Sequence, residues 1–132
     1  MKIDFASQTP IFVQVQQGLE DEILSGVYRE GEQIPSITEL AASYKINPAT
    51  ALKGINLLVD AGIVYKRRGI GMFVCDGALQ KLKEKRQEEF FTQYVLPLIQ
   101  EAKRLSISPQ QLQEWIETVS YTHLTLPTKL EV

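Results

Sequence analysis

The chain has 132 residues, a hydrophobic fraction of 44% and a formal net charge of −2 at pH 7. This length can bury one hydrophobic core, or one core with a helical appendage, and it excludes a large catalytic domain. The single cysteine, Cys75, permits no internal disulfide, and the N-terminus has no basic region followed by an apolar stretch. We therefore expect a cytoplasmic protein, and because no apolar run approaches eighteen residues we expect no membrane span.

Charge is distributed unevenly along the chain. Five cations and one carboxylate lie in residues 45–74, whereas six acids lie in residues 20–39. A local excess of positive charge can attract a phosphate backbone even when the whole chain is slightly acidic. The distribution therefore indicates that residues 45–74 carry a surface suited to nucleic acid.

The first predicted helix begins at Thr9-Pro10, where Thr9 is a cap candidate and Pro10 suits the first helical position. Its apolar residues recur every four positions and predict one buried face, made by Ile11, Val15, Leu19 and Ile23 with Phe12 and Leu24 beside them. Gly26 ends this helix, and residues 27–34 form a polar connection with room for a very short strand.

Two capped helix starts follow. Ser36 and Glu39 have the spacing of a capping box, which predicts a helix from Ile37. Asn47-Pro48 joins a strong N-cap residue to a proline at the next position. The second helix is expected to bury a stripe of Leu52, Ile55, Leu58 and Val59 before it ends at Ala61-Gly62. Two helices that meet across about four residues predict a helix-turn-helix.

A basic hairpin is predicted directly after the second helix. Residues 63–65 and 72–74 are β-prone and flank the sequence Lys66-Arg67-Arg68-Gly69-Ile70-Gly71. Three consecutive cations place charge where phosphates can be reached, and the glycines permit close backbone approach. Taken alone, such a hairpin is typical of a solvated turn. Attached to a capped helix pair, it indicates the wing of a winged helix-turn-helix that binds DNA.

Residues 78–119 are predicted to be helical and strongly amphipathic. Pro97 is expected to kink a helix or to open a new one, and Ser108 and Gln111 have capping-box spacing. Such wide apolar faces are best explained by pairing with a second copy of the chain, through Leu79, Leu82, Phe90, Phe91, Tyr94 and Leu98. The alternative is that this segment folds back on the winged domain of its own chain.

The last thirteen residues, 120–132, fit neither helical periodicity nor a β alternation, and we expect an irregular tail. Their sequence resembles translated sequencing-adapter read-through, which would make them non-native. The alternative is a genuine flexible or strand-adding tail.

The predicted fold class is mostly α with a small β-hairpin. The predicted domains are a winged helix-turn-helix at 9–77, a helical dimerisation segment at 78–119 and the irregular tail at 120–132.

A family resemblance rests on Thr9-Pro10-Ile11-Phe12, Gly31, Ile34-Pro35-Ser36, Glu39-Leu40-Ala41, Asn47-Pro48, Thr50, Ala61-Gly62 and residues 67–74. With these motifs residues 9–77 resemble a GntR-type DNA-binding domain. The short continuation is most similar to the YtrA-type branch, which has a small helical dimerisation segment in place of a large ligand-binding domain. The resemblance implies a dimeric bacterial repressor, and it suggests transport genes such as those of an ATP-driven exporter as targets.

The candidate DNA-contacting residues come from both helices and the wing. The resemblance implies contacts by Ser36, Thr38, Ala49, Thr50, Lys53, Arg67, Arg68, Gly69 and Gly71. The N-terminal turn of a recognition helix enters the major groove, which adds Asn47, and the run of cations adds Lys66. Thr50 as a plain helix-start residue and Lys53 as a solvated cation are the alternatives. The sequence departs from many relatives at Thr38, where they have arginine, and at Gly54, where they have alanine; a glycine inside a helix costs about 1 kcal/mol.

The function expected from these features is sequence-specific regulation of transcription by a dimeric repressor of its own operon, bound to a roughly palindromic double-stranded operator. The alternative is a winged-helix protein-interaction module without specific DNA binding, which predicts a wing without clustered cations. An enzyme is not expected because the sequence offers no nucleophile–base pair, carboxylate pair or phosphate-cradling loop. No cofactor and no metal are expected, and neither the operator sequence nor any small-molecule effector can be derived from the residues.

Overall fold

The computed structural model of the chain describes residues 1–122. Its elements are, in chain order, α1 (Ile11–Leu24), α2 (Ile37–Tyr44), α3 (Pro48–Asp60), β1 (Val64–Arg67), β2 (Gly71–Val74), α4 (Ala78–Phe90), a π-helical turn (Phe91–Val95), α5 (Leu96–Arg104) and α6 (Pro109–Thr122). The chain splits into two compact units, Met1–Gln87 and Glu88–Val132. The expected fold class, mostly α with one small hairpin, is confirmed.

The core of the first unit lies between α1 and α3. Its fully or nearly buried side chains are Val15, Leu19, Ile23, Ile34, Leu40, Ile46, Ala51, Ile55, Leu58, Ile63, Val64, Val74, Ala78 and Leu82. The predicted stripe of α3 is partly wrong, because Leu52 and Val59 are 42% and 37% exposed. The helix instead faces the core through Ala51, Gly54, Ile55 and Leu58. Both stripes have helical spacing, so periodicity did not distinguish them.

Gly54 lies where the backbones of α1 and α3 come into close contact. A Cβ atom added there would lie 2.7 Å from the backbone carbonyl oxygen of Phe12 and 2.9 Å from Cβ of Val15. Side-chain carbons do not approach other atoms so closely without displacing them. The glycine that disfavours helix formation at this position therefore allows the two helix backbones to pack against each other.

In the first unit, the helix starts agree with the sequence at two of three sites. The Ser36 hydroxyl accepts a hydrogen bond from the Glu39 N–H, and the Glu39 carboxylate accepts one from the Ser36 N–H, which completes the capping box of α2. The side-chain oxygen of Asn47 caps α3 by accepting from the Ala49 N–H. The prediction for α1 was wrong, because Pro10 occupies the N-cap position itself and no side chain within residues 1–122 caps it.

The hairpin pairs β1 with β2 in antiparallel register, with Val64 opposite Val74 and Arg67 opposite Gly71. The other edge of β2 is covered by residues 31–34, which contribute an isolated bridge between Gln33 and Phe73. Backbone hydrogen bonds from Gly31 to Val74 and from Ile34 to Met72, both 2.9 Å, continue this pairing. The connection before α2 thus holds the very short strand that the sequence has room for.

The first turns of α4 pack into the first unit. Ala78 and Leu82 are fully buried in its core. Glu20 of α1, 1% exposed, accepts hydrogen bonds from Lys85 at 2.6 Å and from Arg86 at 3.1 Å. The first compact unit therefore extends to Gln87, beyond the expected boundary at residue 77. Leu82, expected in a dimer interface, packs instead within its own chain.

The N-terminus of α4 is capped from a distance. The Glu30 carboxylate accepts hydrogen bonds from the N–H groups of Gly77 at 2.9 Å and of Leu79 at 3.2 Å. These two bonds lower the pKa of Glu30 below its ordinary value of 4.5 because they favour the ionised form. A carboxylate also suits the positive end of a helix dipole. Leu79 is half-buried at this junction.

The second unit begins at Glu88. Pro97 lies in the first turn of α5, directly after the π-helical turn. A proline has no N–H to donate and its ring crowds the preceding turn of a helix, and the wider π-helical turn comes where Pro97 would crowd an α-helix. The Ser108 hydroxyl accepts from the Gln111 N–H at 3.1 Å and starts α6 as expected. Helix α6 continues to Thr122, so the first three residues assigned to the tail are helical. Residues 123–132, which carry the rest of the predicted tail, lie outside the described residues.

Large apolar side chains remain exposed on the second unit. Those that are at least half exposed are Phe90, Phe91, Tyr94, Leu98, Leu105, Ile116 and Tyr121. Phe90 and Tyr94 lie one turn apart and their ring centroids are 5.4 Å apart. Monomeric proteins rarely expose so many large apolar side chains over a short segment.

Candidate nucleic-acid interface

The first turn of α3 presents its predicted site residues to solvent. Asn47, Pro48 and Ala49 are exposed, and Thr50 is half-buried. The Asn47 side-chain oxygen lies 2.8 Å from the Ala49 nitrogen, so this oxygen is committed to starting the helix. The side-chain amide N–H groups of Asn47, the Ala49 methyl group and the Thr50 hydroxyl group are what this turn can offer to a base edge or a phosphate.

The first turn of α2 is held by its capping box. The Ser36 N–H donates to the Glu39 carboxylate at 3.0 Å, and this bond, together with the Ser36 side chain, lowers the pKa of that carboxyl. Ser36 is half-buried, while Thr38 beside it is exposed. The Ser36 hydroxyl accepts from the Glu39 N–H at 3.0 Å, and its own hydrogen can be donated to the Glu39 carboxylate or to a phosphate oxygen. A phosphate oxygen would compete with the Glu39 carboxylate for that hydrogen, while the capping bond from the Glu39 N–H remains.

Lys53 lies one turn further along α3 and is exposed. Its ammonium nitrogen lies 4.1 Å from the centroid of the Phe12 ring of α1, a cation–π contact. Such a contact holds a long flexible side chain near one position without neutralising its charge. The apolar pattern of α1 predicted that Phe12 is buried. The same pattern does not indicate a contact with Lys53, which lies 41 positions later in the chain.

The wing carries exposed positive charge on an ordered aromatic base. Lys66, Arg67 and Arg68 are all exposed. The Arg67 guanidinium carbon lies 5.2 Å from the Phe73 ring centroid, and the Tyr65 ring stacks on the opposite strand's Phe73 at 5.9 Å. The stacked rings of Tyr65 and Phe73 thus form an apolar surface of the hairpin on which the Arg67 side chain lies.

The turn of the wing depends on glycine. Gly69 has φ of 76° and Gly71 has φ of 145°, both in the region that side chains rarely adopt. The Ile70 N–H donates to the Arg67 carbonyl at 2.9 Å and closes the turn. Gly69 and Gly71, both predicted site residues, therefore shape the loop that carries the cations.

The predicted DNA-contacting residues fall on three segments of the first unit: the start of α2, the start of α3, and the wing. Helix α2 packs on α3, and α3 packs on β1. The fold therefore joins these segments through direct contacts between neighbouring elements. The arrangement can place a helix N-terminus in a groove and a basic loop on the neighbouring backbone.

The acidic residues of α1 are engaged elsewhere in the fold. Glu20 binds Lys85 and Arg86, and Asp21 binds Arg86 at 2.8 Å. These ion pairs neutralise part of the acidic stretch against cations of α4 rather than against the wing. A chain of net charge −2 can therefore keep a basic wing.

Residues 1–122 offer little to other kinds of site. That part of the chain has no group of three or more His, Cys, Asp and Glu side chains placed to hold a metal ion. Cys75 is half-buried, and burial raises the pKa of its thiol, which lowers the reactive thiolate fraction. In the same residues there is no helix with the length and apolar character to cross a bilayer.

The chain is similar to known bacterial regulators in sequence. The model of the bacterial regulatory proteins of the gntR family matches residues 12–74. Over 120 residues the chain is 31% identical to the HTH-type transcriptional repressor YtrA of Bacillus subtilis (strain 168), covering 91% of this chain and 92% of that protein. The similarity thus includes the helices that follow the wing.

Solved structures give the same picture. A GntR family transcriptional regulator from Listeria monocytogenes superposes with a TM-score of 0.72 at 25% identity, covering 87% of this chain and 99% of that chain. YtrA from Sulfolobus acidocaldarius, a GntR-family transcription factor, superposes with a TM-score of 0.53 at 26% identity, covering 92% of this chain and 98% of that chain. The names of these proteins describe regulators and not enzymes.

Proposed function

Because the chain belongs to the GntR family of bacterial regulatory proteins, in its YtrA-type branch, and is a DNA-binding transcriptional regulator, we propose that it is a dimeric repressor of its own operon. The observation that carries the proposal is the exposed cluster Lys66, Arg67 and Arg68 on a wing that adjoins a capped helix pair. A protein-contact module has no need for three adjacent exposed cations at this position.

In the proposed complex the start of α3 enters the major groove. Asn47, Ala49 and Thr50 face base edges or the adjacent phosphates, and Lys53, positioned over Phe12, reaches a phosphate or a guanine edge. Ser36 and Thr38 contact the backbone from α2. Few of these side chains can make bidentate hydrogen bonds to one base, so DNA shape is expected to contribute to operator selection.

The wing supplies most of the charge in this proposal. Lys66, Arg67 and Arg68 contact phosphates or the minor groove, and Gly69 and Gly71 allow the turn to approach the backbone closely. Such contacts release counterions from the DNA, so affinity depends steeply on salt concentration.

Dimerisation is proposed to occur through the second unit. Phe90, Phe91, Tyr94 and Leu98 are at least half exposed there. A second copy could cover these side chains. Leu79, half-buried at the start of α4, stays a predicted member of this contact, whereas Leu82 is excluded by its burial. A twofold dimer would place two recognition helices on a roughly palindromic operator, with half-sites about one helical turn apart. The protein would act in the cytoplasm, on genes that include transport genes of the ATP-driven type.

The proposal is tested by DNA binding across a salt series. The probes are the double-stranded fragment upstream of the gene and a scrambled fragment of equal composition. Wild type is expected to prefer the upstream fragment, and Arg67→Ala/Arg68→Ala should bind both fragments more weakly. The double substitution should also make the slope of log affinity against log salt shallower by about 0.9 for each phosphate that the wing no longer neutralises.

A matched control removes the same charge elsewhere. Lys2 and Lys83 are exposed and lie outside the proposed interface, and Lys2→Ala/Lys83→Ala should keep the wild-type salt slope. If wild type shows neither fragment preference nor salt dependence, the repressor proposal is wrong and the protein-interaction module becomes the better description.

A further inference from the structure

Gln33 connects the segment before α2 to the tip of the wing. Its side-chain amide nitrogen lies 3.1 Å from the carbonyl oxygen of Ile70, to which it donates a hydrogen bond. Its backbone forms the bridge to Phe73 on β2. The residue therefore contacts both the base of the wing and its turn.

The turn is shaped to receive this side chain. A Cβ atom added at Gly71 would collide with the Gln33 amide nitrogen, so the missing side chain leaves the space that the amide occupies. Gly69, two residues earlier, adds further backbone freedom to the same turn. A loop with two glycines loses more conformational entropy on ordering than most loops do. A hydrogen bond donated from outside the loop stabilises its ordered conformation.

We propose that Gln33 is a positioning residue of the DNA interface, which holds the wing turn so that Arg67 and Arg68 meet the DNA backbone in a preformed arrangement. The inference rests on the proposed use of the wing in DNA binding. Gln33 is uncharged and acts through the Ile70 carbonyl, so removing its amide should weaken binding while every phosphate keeps its cation. A wing that must be ordered on binding costs affinity that a preorganised wing keeps.

The test compares Gln33→Met with wild type. Methionine has nearly the length of glutamine but cannot donate to the Ile70 carbonyl, and the backbone bridge remains. Gln80→Met is the matched control, because Gln80 is an exposed glutamine on α4 whose side chain bonds to Glu84 of the same helix. Loss of one exposed neutral hydrogen bond corresponds to about a fivefold change in an equilibrium constant. We expect Gln33→Met to bind the upstream DNA fragment about fivefold more weakly, with an unchanged salt slope, and Gln80→Met to bind as wild type.

Two readouts separate positioning from a direct contact with DNA. In the protein without DNA, hydrogen exchange of the Ile70 amide should be about fivefold faster in Gln33→Met, since local opening of the turn costs less. In the Arg67→Ala/Arg68→Ala background, Gln33→Met should have no further effect on affinity, because its effect passes through those cations.

Unchanged exchange at Ile70 would overturn the inference whether or not the DNA fragment is bound. Faster exchange with unchanged affinity, or a full additional loss of affinity in the Arg67→Ala/Arg68→Ala background, would also overturn the positioning role. Failure of wild type to prefer the upstream fragment would instead count against the repressor proposal, while the exchange measurement still decides whether Gln33 holds the turn.

Discussion

The ammonium nitrogen of Lys85 lies 2.6 Å from a carboxylate oxygen of Glu20, across 65 positions of sequence. Glu20 is 1% exposed, and Arg86 binds its other oxygen at 3.1 Å. A buried carboxylate is costly unless its charge is paired and its oxygens are hydrogen-bonded, and here both oxygens have a cation. The pair of contacts fixes the first turns of α4 on α1 and brings α4 into the core of the DNA-binding unit.

Replacing Glu20 should therefore destabilise the first unit strongly. Glu20→Gln removes the partner charge of Lys85 and one of the two partner charges of Arg86, which keeps Asp21. We expect the free energy of unfolding to fall by about 3 kcal/mol, the lower end for breaking a buried pair, because Lys85 and Arg86 both reach solvent. Urea unfolding measures the change. Glu101→Gln removes an exposed partner of Arg104 and should leave the urea midpoint almost unchanged, because solvent screens this pair. Equal effects in the two variants would contradict the role given to Glu20.

Gly54→Ala should destabilise the protein although alanine favours helix. The new Cβ atom would lie 2.7 Å from the Phe12 carbonyl oxygen, and a backbone atom cannot move aside as a flexible side chain can. Overpacking of this kind costs about 1 to 3 kcal/mol, against about 1 kcal/mol gained in helix propensity. Thermal unfolding should show a lower Tm.

Gly18→Ala on α1 is the matched control for that substitution. Its added Cβ atom would meet the side chain of Met1, which has several rotatable bonds and can move away. The helix-propensity gain should then dominate, and the Tm should stay equal or rise. A Tm for Gly54→Ala at or above that of Gly18→Ala would show that α1 and α3 are not packed as closely as described.

The Glu30 cap predicts a pH dependence of stability. Its pKa is lowered in the folded protein by the Gly77 and Leu79 N–H groups. A carboxyl with a depressed folded pKa contributes stability above its unfolded pKa and loses it as pH falls through the folded pKa. Urea unfolding of wild type and Glu30→Gln should therefore differ most at neutral pH, and the difference should shrink as pH falls below 4.5. A difference that stays constant down to acid pH would rule out this cap.

Phe91→Glu should weaken self-association if the second unit pairs with another copy. Phe91 is 50% exposed, and a carboxylate there would have to be desolvated on pairing, which is costly. Sedimentation equilibrium should show the dimer dissociation constant rising at least about tenfold, with helicity retained. Gln93→Glu introduces the same charge at an exposed polar position of the same π-helical turn and should alter it little. Loss of association in both variants would point to net charge rather than to an apolar contact.

Features that depend on neighbouring residues in sequence could be predicted. The capping box of Ser36 and Glu39 and the N-cap at Asn47 were both found where the residue types placed them. Each depends on a hydrogen bond that spans two or three residues, so local chemistry is sufficient. The basic hairpin and the family motifs belong to the same class, and they determined the fold and the kind of function.

Features that depend on which face meets which partner could not be predicted. On α3, two apolar stripes have helical spacing, and the stripe that contains Gly54 is the buried one because Gly54 contacts Phe12 of α1. Leu82 is buried in its own chain where the ion pairs at Glu20 hold α4 on α1. The hydrogen bond from Gln33 to the Ile70 carbonyl joins residues 37 positions apart. Local propensity does not encode such contacts, because their free energy arises when distant segments exclude water from each other. The sequence by itself therefore determined the elements and the family, and the tertiary structure decided the packed faces, the extent of the first unit and the support of the wing.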